Sequence, residues 1–459
     1  MNIFEIKSSF FNLSEIMEHK NNNNHNNEEH FTPKNFLFVT LDALIIDIAW
    51  QISKEGHHVK FYTDNKEDHE VGDGFVPKVD KWEDEVDWAD IIVFDDVLGQ
   101  GEKAEELRKK GKYVVGGTAY TDKLEDDRKF GQEELKKLGI VVAPYWDFTS
   151  FEDAIDFVEK NPGRYVIKPS GEAQNMKGLL FIGEEDDGRD VLQVLSDYKK
   201  AWADQIPNFQ LQKRLIGVEV AVGAFFNGKE FLYPINVNFE HKKLFPKNLG
   251  PSTGEMGTTM FWSGPNRLFN LTLKKFEQKF AEEGFVGYID INFIVNSNGI
   301  YPLEWTSRFG YPTISIQQDS FLTPIGEFFY DLARGLKPKW RVKSGFHIGI
   351  RIVVPPFPFD DPETFNVKSK DSVIYFDKPT ESVHIEDVKR VNGEWLVSGS
   401  SGVVLIVCAS GQTMRQAQNL AYSRIKNILI PHMYYRTDIG DRWYEDSDKL
   451  HTWGYLREM

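Results

Sequence analysis

Pro302-Leu303-Glu304-Trp305-Thr306-Ser307-Arg308-Phe309-Gly310 decides the fold, together with the two stretches that precede it. Residues 288–295 form a strand-like run in which apolar and polar side chains alternate at 289–292, and Asn296-Ser297-Asn298-Gly299 is typical of a tight turn. We therefore predict an antiparallel β-hairpin that ends in a polar, arginine-containing segment.

Polar side chains share faces of this predicted hairpin. With a period of two, Asp290 and Asn292 fall on one face, and Glu304 falls with Thr306 and Arg308 on one face of the second strand. Oxygen ligands on facing strands suit Mg²⁺, which completes its coordination with waters and substrate phosphates. Arg308 could offer its guanidinium to a phosphate or carboxylate. A solvated polar face with a salt bridge is the alternative, and the hairpin alone favours it slightly.

Composition restricts the classes of function. The 459 residues are 41% hydrophobic and carry 54 Lys and Arg against 70 Asp and Glu, a net charge of −16, which indicates a globular chain of about three domains. This acidity argues against binding nucleic acid or anionic membranes. The chain lacks a signal-peptide pattern and an apolar run of the roughly 18 to 20 residues that span a bilayer, so we expect a cytoplasmic protein. The single cysteine, Cys408, lies in an apolar run and is expected to be buried.

The chain before the hairpin begins with an extension and a βαβ pattern. Residues 1–33 include an Asn-rich tract at 20–30 that predicts a flexible linker. Residues 34–120 alternate strand-like and helical stretches, which predicts a small Rossmann-like doubly wound sheet. Its first loop, Thr40-Leu41-Asp42-Ala43-Leu44, has no glycine, so a dinucleotide site at that turn is disfavoured.

Two further segments could hold ligands. Lys168 ends an apolar strand and precedes a loop that contains Lys177 and Gly178. Two lysines on a hairpin suit nucleotide phosphates, although the P-loop spacing is absent. For this loop alone, solvated lysines are the better explanation. His241-Lys242-Lys243-Leu244 is followed by a glycine-dense loop at 250–259, which suits a backbone that clasps a small polar substrate.

The order of these segments resembles the ATP-grasp superfamily and, within it, the phosphoribosylamine-glycine ligase family. Val166-Ile167-Lys168 with Lys177 resembles V-I-K-x-D-G-L-A-x-G-K-G, and Gly250 to Gly257 resembles G-P-N-T-G-G-M-G. Leu215 to Val220 is similar to L-x-G-E-E-x, and His241-Lys242-Lys243 is similar to D-H-K-R. Ala417-x-x-x-Ala421-Tyr422 and Tyr435 to Gly440 match A-x-x-x-A-Y and Y-R-x-D-I-G, the most family-specific of the signals.

The resemblance implies a fold and a set of sites. It implies a mixed α/β and α+β chain with a pre-ATP-grasp domain at 34–120, an ATP-grasp domain at 121–340 with a lid at about 145–212, and a small C-terminal domain at 341–459. The ATP contacts that it implies are Lys168, Lys177, Gly178 and Glu219. The metal ligands for Mg²⁺ (or Mn²⁺) are Glu304, Asn292 and Thr306, and the catalytic residues are Arg308 and Lys177. The substrate contacts are His241, Lys242, Ser252, Thr253, Gly254, Met256, Gly257 and Arg308.

Several positions depart from the family pattern. Glu304-Trp305-Thr306 stands where the family has E-F-N, and many ATP-grasp enzymes carry a carboxylate at the place of Asn292. Ser252 and Glu255 depart from the glycine-loop pattern, and the family's glycine-rich N-terminal loop, associated with the phosphorylated amine substrate, is missing. Features that handle nucleotide are therefore kept better than those for phosphoribosylamine.

By this resemblance the sequence predicts an ATP- and Mg²⁺-dependent ligase that joins a carboxylate, favoured to be glycine or a small amino acid, to an amine through an acyl phosphate. Phosphoribosylamine-glycine ligase activity proper is one alternative. A degenerate ATP-grasp protein that binds nucleotide without ligation is another, because Thr306 and Asn292 could weaken metal binding. The expected partners are these small molecules, and the protein is expected to be a monomer or a homodimer.

Overall fold

Four parallel strands form the first sheet of the computed structural model, which describes residues 32–170, 179–202 and 205–458. The elements of this part are β1 (Asn35–Thr40), α1 (Ile46–Lys54), β2 (His58–Thr63), β3 (Ile91–Phe94), α2 (Gln100–Lys109) and β4 (Val114–Val115). The strands follow the order β2-β1-β3-β4, and every neighbouring pair is parallel. Gly56, at φ 96°, follows α1 in the left-handed region that favours glycine. The predicted doubly wound sheet is thus confirmed.

Two helices connect this sheet to the rest of the chain. They are α3 (Ala119–Asp126) and α4 (Arg128–Lys137). Thr118 caps α3 with a capping box, and the Asp127 carboxylate accepts a hydrogen bond from the Phe130 N–H at 3.0 Å, which fixes the start of α4. The short break between the two helices places Arg128 in the first turn of α4.

A second sheet of four antiparallel strands follows. Its elements are β5 (Tyr145–Phe148), α5 (Phe151–Lys160), β6 (Tyr165–Pro169), β7 (Phe181–Ile182), α6 (Arg189–Ala201) and β8 (Phe209–Lys213). The strand order is β5-β8-β6-β7, and α5 and α6 pack on the sheet through a core that includes Phe151, Val158, Leu195 and Leu211. Lys168 lies near the end of β6, so the predicted strand ending in this lysine is confirmed. The loop residues Lys177 and Gly178 lie outside the described residues.

The following part of the chain supplies most of the central sheet. Its elements are β9 (Val218–Asn227), β10 (Ile235–Glu240), β11 (Lys243–Phe245), β12 (Leu249–Ser252), β13 (Gly257–Ser263), α7 (Arg267–Leu271), α8 (Glu277–Glu282), β14 (Val286–Asn296), β15 (Gly299–Thr306), α9 (Thr313–Ser320) and α10 (Ile325–Ala333). In β9 the alternation of side chains sends Val222 and Phe226 to the core beneath α7 and α8, and Phe225 to the opposite core. The predicted hairpin is present as β14 and β15, joined at Asn296 and Gly299.

The remaining chain completes the same sheet. Its elements are β16 (Phe346–Val353), α11 (Pro362–Lys368), β17 (Tyr375–Phe376), β18 (Val383–Ile385), β19 (Val388–Val391), β20 (Glu394–Val397), β21 (Val403–Gly411), α12 (Met414–Ile425), β22 (Ile428–Leu429) and α13 (Trp443–Thr452). The eight-stranded order is β15-β14-β9-β10-β13-β16-β21-β18, with antiparallel neighbours throughout. Strands from both sides of the predicted boundary near residue 340 therefore share one sheet.

Several other predictions can be compared with these elements. Cys408 is fully buried in β21, as predicted. Thr413 caps α12, and its side chain accepts a hydrogen bond from the Gln416 N–H. The Asn-rich tract lies outside the described residues. Within the described ranges, every helix is too short or too polar to cross a membrane.

Candidate active site

A cleft of about 460 Å³ opens where the β14–β15 hairpin meets α3, α4 and the ends of β10 and β16. Nine charged side chains line it. They are Glu125, Arg128, Glu240, Lys242, Glu255, Asp290, Glu304, Arg308 and Arg351. Charges of both signs meet in one concave surface, which is the usual setting of a site for charged ligands.

The register of the hairpin brings the predicted metal ligands together. Asn292 pairs directly with Glu304, and Asp290 pairs with Thr306. β15 ends at Thr306, so Arg308 lies beyond the strand rather than on its face as the sequence predicted. Asn292 is 2% exposed, and its amide nitrogen donates a hydrogen bond to Glu240 Oε2 at 2.7 Å. Its carbonyl oxygen, Oδ1, is buried and has no hydrogen-bond partner among the described residues.

The donors at this point suit a hard divalent cation. A carboxylate on Glu304 and an unsatisfied amide oxygen on Asn292 are the oxygen ligands that Mg²⁺ or Mn²⁺ accepts, with Thr306 supplying a hydroxyl nearby in the ladder. In the described part of the chain, no three His, Cys, Asp or Glu side chains converge as a metal site. The protein donors therefore fit a cation that takes its other ligands from water and substrate.

Lys242 sits among three carboxylates. Its ammonium forms an ion pair with Glu304, and it lies 3.2 Å from Glu219 Oε1 and 3.3 Å from Glu240 Oε2. Burial alone would lower the pKa of Lys242, but the three carboxylates raise it well above its usual range, so the lysine is charged. Lys242 in turn holds the pKa of Glu304 below its usual range. Glu219, which the resemblance implies as an ATP contact, thus belongs to the same ion cluster as the metal-ligand candidate Glu304.

Two cations face this cluster without ion-pair partners. Lys168 is 6% exposed, and burial, followed by the nearby Arg128 charge, lowers its pKa to about 7. Burial also lowers the pKa of Arg128, and Arg128 Nε has no hydrogen-bond partner among the described residues. Neither side chain forms an ion pair within 4 Å in the described part of the chain, which indicates a place for an anionic ligand.

Arg308 is held differently, because it is already paired. Its Nε lies 3.1 Å from Glu125 Oε1 and 3.2 Å from Asp96 Oδ1, and its side chain is 27% exposed. The Ser307 N–H donates to Glu125 Oε2 at 2.7 Å and fixes the same carboxylate. Burial opposes the charge, yet the surrounding carboxylates raise the pKa of Arg308. In this structure the guanidinium therefore neutralises acidic side chains.

Three buried acids lie deeper in the cleft. Burial is the main cause that raises the pKa values of Glu240, Asp290 and Glu255, and neighbouring carboxylates add to the shift. Asp290 Oδ2 accepts a hydrogen bond from the Tyr288 hydroxyl at 3.1 Å. Glu255 is 5% exposed, and its Oε1 has no hydrogen-bond partner among the described residues. These groups are candidates for accepting a proton or a hydrogen-bond donor from a ligand.

The glycine-dense loop contributes fewer cleft residues than predicted. Lys242, Gly254 and Glu255 line the cleft, whereas Met256 is fully buried in a cluster of apolar side chains. Thr253 donates from its N–H and its hydroxyl to the Lys242 carbonyl, at 2.7 and 2.8 Å. Ser252 ends β12 and Gly257 starts β13, and both lie outside the cleft lining.

His241 is also a structural neighbour of the cleft. It is 1% exposed, and its Nε2 accepts a hydrogen bond from the Gly440 N–H at 3.4 Å. Burial, with the charges of Arg442 and Arg436, lowers the pKa of His241 to about 3, so the imidazole is neutral. Its position suggests that it supports Lys242 rather than contacting a substrate.

The family-like segment near the C-terminus positions the glycine loop. Arg436 is 1% exposed and forms hydrogen bonds with both Asp438 oxygens at 2.7 and 2.9 Å. It also donates to the Lys243 carbonyl at 2.9 Å and to Asn248 Oδ1 at 3.2 Å. This buried arginine thus fastens the β11–β12 hairpin, from which the loop projects, to the C-terminal segment.

Sequence analysis did not identify Arg128, Glu125 or Glu240 as site residues. Arg128 follows a helix-capping Asp127, a signal that locates the cation at a helix start but does not indicate what it faces. Glu125 and Glu240 come together with Arg308 and Asn292 only through tertiary packing. Of the predicted site residues, Lys177 and Gly178 lie outside the described ranges.

Two family models match this chain. Residues 126–314 match the phosphoribosylglycinamide synthetase ATP-grasp (A) domain, and residues 362–442 match the phosphoribosylglycinamide synthetase C domain. The matched regions include α4, the Lys168 strand, the β14–β15 hairpin and the Arg436 segment. The chain belongs to the ATP-grasp superfamily.

Two curated relatives of this ATP-grasp chain share a name. Phosphoribosylamine–glycine ligase of Streptococcus pyogenes serotype M1 is 24% identical over 373 residues, which are 78% of this chain and 85% of the relative. The enzyme of the same name from Streptococcus pneumoniae (strain ATCC BAA-255 / R6) is 25% identical over 361 residues, which are 76% of this chain and 82% of the relative.

Solved structures share the ATP-grasp fold. Phosphoribosylamine–glycine ligase from Thermotoga maritima has a TM-score of 0.66 at 21% identity and covers 88% of this chain and 100% of its own. The biotin carboxylase domain of Hydrogenobacter thermophilus 2-oxoglutarate carboxylase, solved with MgADP, has a TM-score of 0.61 at 13% identity and covers 93% and 100%. The predicted superfamily, fold class and enzyme class, an ATP-dependent carbon–nitrogen ligase, are confirmed.

Proposed function

We propose that this ATP-grasp ligase joins glycine or another small amino acid to an amine, with Mg²⁺-ATP bound at one end of the cleft. The observation that carries the proposal is the pair of desolvated cations, Lys168 and Arg128, next to Glu304 and Asn292. We name this group the cation end. Its cations need an anionic partner, and its oxygen donors suit the metal that accompanies nucleotide phosphates.

Lys168 and Arg128 bind the ATP phosphates in this proposal, together with Lys177 and Gly178 from the adjoining loop. Because Lys168 is buried and its pKa is about 7, an approaching phosphate restores its full positive charge. Mg²⁺ or Mn²⁺, held by Glu304 and Asn292 with Thr306 nearby, would neutralise negative charge on the phosphates.

The reaction joins two substrates in two steps. A carboxylate oxygen attacks the γ-phosphorus of ATP, and the bond from that phosphorus to the β,γ-bridging oxygen breaks to release ADP and leave an acyl phosphate. The amine, as the free base, then attacks the acyl carbon, and the bond from that carbon to the phosphate oxygen breaks to release phosphate. The attacking nitrogen loses a proton as the amide forms.

Two residues have proposed roles near the acyl group. Arg308 would stabilise the negative charge of the acyl phosphate by exchanging its contacts with Glu125 and Asp96 for that group. Asp290, 2% exposed and with a raised pKa, would accept the proton of the attacking amine. The retained glycine-dense loop, Gly250 to Gly257, supports glycine or a small amino acid as the carboxylate.

Trapping with hydroxylamine tests the first step. The full-length protein with ATP, Mg²⁺ and single amino acids should form an amino acid hydroxamate, because hydroxylamine displaces phosphate from an acyl phosphate. Glu304→Gln should abolish the hydroxamate, whereas Glu363→Gln, a matched change of an exposed acid on α11, should not. Hydroxamate from no amino acid, with ADP still released, would contradict the acyl phosphate.

One observation favours a second candidate function. The Glu304 carboxylate forms an ion pair with Lys242, and the neighbouring ligand candidate, Asn292, has a neutral amide in place of a carboxylate. Metal could therefore bind too weakly for ligation while nucleotide still binds. In that case ATP binds without turnover. Phosphoribosylamine-glycine ligase activity proper is the third candidate, and it is supported by the names of the curated relatives.

A further inference from the structure

The carboxyl ends of two parallel strands carry acidic side chains. Asp42 follows β1, and Asp95 and Asp96 follow β3, which is the neighbour of β1 in the sheet. In open α/β sheets, ligands bind in the crevice outside the carboxyl ends of the strands. Tyr311, which lines the cleft described above, donates from its hydroxyl to Asp95 Oδ2 at 3.3 Å and so connects the strand ends to the cleft.

Four carboxylates gather at this edge, and we name them the acid end: Asp42, Asp95, Asp96 and Glu125. In the described part of the chain their only ion-pair partner is Arg308, which pairs with Asp96 and Glu125. Four acidic groups thus face one guanidinium. Glu125 and Arg308 both line the cleft, so the excess negative charge is available to a molecule that enters it.

Buried carboxylate oxygens without partners point to a missing donor. Asp95 is 2% exposed; its Oδ2 accepts a hydrogen bond from the Tyr311 hydroxyl at 3.3 Å, and its Oδ1 has no hydrogen-bond partner in the described ranges. The charges of Asp96 and Asp42 raise the pKa of Asp95 and that of Arg308 lowers it, so Asp95 interacts with the other members of the acid end. Glu255 Oε1, in the cleft wall, is likewise buried and without a partner. Buried polar atoms of this kind call for a partner, which water, an ion or a ligand can supply.

Charge excludes the phosphorylated amine from this edge. A phosphate would bring up to about two more negative charges to four carboxylates whose single arginine is already paired. An organic cation suits this edge, because its N–H groups can reach separate carboxylates and can donate to Asp95 Oδ1, which has no partner among the described residues. A divalent metal is the competing occupant, and the binding test below distinguishes it from the organic cation.

We propose that the acid end binds the acceptor substrate as an unphosphorylated amine with a second, positively charged amino group, that is, a diamine or a basic amino acid. The role of this amine as the acceptor of the acyl group rests on the proposed ligase function. One ammonium group stays protonated against Asp96 and Asp95, and the other amino group, as the free base, attacks the acyl phosphate and loses a proton to form the amide.

Binding tests the proposal without turnover. Isothermal titration calorimetry of the full-length protein, saturated with ADP and Mg²⁺, would compare 1,4-diaminobutane, butylamine and O-phosphoethanolamine at equal ionic strength. We expect the diamine to bind at least about tenfold more tightly than butylamine, since a charge-assisted hydrogen bond is worth that factor or more, and phosphoethanolamine not to bind. Equal binding of the two cations, tighter binding of phosphoethanolamine, or no binding of any amine would overturn the proposal.

Charge-removing variants locate the binding. Asp96→Asn should reduce the affinity for both the diamine and butylamine about tenfold, because each places an ammonium group against this carboxylate. Asp42→Asn is a second variant; Asp42 is exposed, so its replacement should not impair folding. Asp84→Asn, an exposed acid in a 3-10 turn of the same domain, is the matched control and should change neither affinity. Diamine binding unaltered by both acid-end variants would overturn the assignment.

The ligase function and the amine site at the acid end can be contradicted independently of each other. Diamine binding that depends on Asp96, without ADP release on adding any amino acid and ATP, would contradict the ligase and leave the acid-end site standing. ADP release that prefers a neutral or phosphorylated amine would leave the ligase standing and overturn this inference. In a separate titration with ADP alone, diamine binding that is abolished by adding Mg²⁺ at concentrations too low to change ionic strength would identify a metal site instead and also overturn it.

Discussion

The two ends of one cleft are electrostatic opposites. At the cation end, Lys168 is buried and Arg128 half-buried, and neither has an ion-pair partner among the described residues. At the acid end, Asp95 and Asp96 lie near a single arginine, Arg308, which is already paired. Two positively charged side chains thus lie together at one end and several carboxylates at the other, and both arrangements lower the free energy of unfolding. Such arrangements are common where a ligand supplies the missing charge.

The difference between the ends separates the roles of the two reactants. An anion such as ATP is drawn to Lys168 and Arg128, and a cation is drawn to the strand ends. Asp290 and Glu255 lie in the cleft that joins them. A ligase needs this order, because the activated carboxylate must meet the amine between the nucleotide and the amine site.

The largest expected effect comes from the metal-ligand candidate at the cation end. Glu304→Gln should lower the rate of ADP formation about a thousandfold, which corresponds to ~4 kcal/mol of transition-state stabilisation, because charge neutralisation at the phosphates is lost. Steady-state ADP release with Mg²⁺ measures it, and Glu363→Gln serves as the control. An unchanged rate would contradict the role given to Glu304.

Lys168 offers a smaller and pH-dependent effect. Lys168→Met should weaken ATP binding about 10- to 100-fold through the loss of a charge-assisted contact. Since its pKa is lowered from 10.5 to about 7, the free protein loses this proton as the pH rises through 7, and ATP binding restores it. ATP affinity should therefore fall as the pH rises above 7.

Isothermal titration calorimetry of ATP binding, performed in two buffers of different ionisation enthalpy, measures the number of protons that the protein takes up. Wild-type protein should take up a proton on binding ATP at pH 8 and almost none at pH 6, and Lys168→Met should show no such difference. Lys103→Met, at an exposed position of α2, is the matched control. The absence of proton uptake by the wild type at pH 8 would show that Lys168 does not face the phosphates.

The smallest effect concerns stability at the acid end. Burial and the charge of Asp96 raise the pKa of Asp95 above 3.8, so ionisation of Asp95 opposes folding as the pH rises above about 4. Asp95→Asn should therefore raise the free energy of unfolding by about 1 kcal/mol at neutral pH, and the gain should disappear below about pH 4. Urea unfolding at several pH values measures this free energy. A variant less stable than the wild type at pH 7 would contradict the unfavourable ionisation assigned to Asp95.

The sequence predicted the fold where local patterns were strong. The polar–apolar alternation at 289–292 and the turn at 296–299 predicted the β14–β15 hairpin, whereas the pairing of Asn292 with Glu304 depends on a register shift between Asn292 and Phe293 that the pattern did not predict. The glycine-free loop after β1 also disfavoured a dinucleotide site there. Apolar surroundings of Cys408 correctly predicted its burial.

Long-range packing set the limits of that prediction. Arg308 was predicted to face a phosphate, but Glu125 and Asp96, which are separated from it by more than 180 residues, hold it in this structure. Met256 matched a substrate-loop pattern, yet it fills an apolar cluster with Phe357. The acid end could not be predicted from spacing alone, because it arises only when β1 and β3 become neighbours in the sheet.

Steady-state ADP release tests the central claim most directly. The full-length protein with Mg²⁺-ATP would be given a panel of amino acids crossed with 1,4-diaminobutane, butylamine and O-phosphoethanolamine. We predict release that requires one amino acid and one amine together, and that is fastest with the diamine. Nucleotide binding without release for every pair, or release that does not depend on the amine, would contradict a ligase with oppositely charged ends.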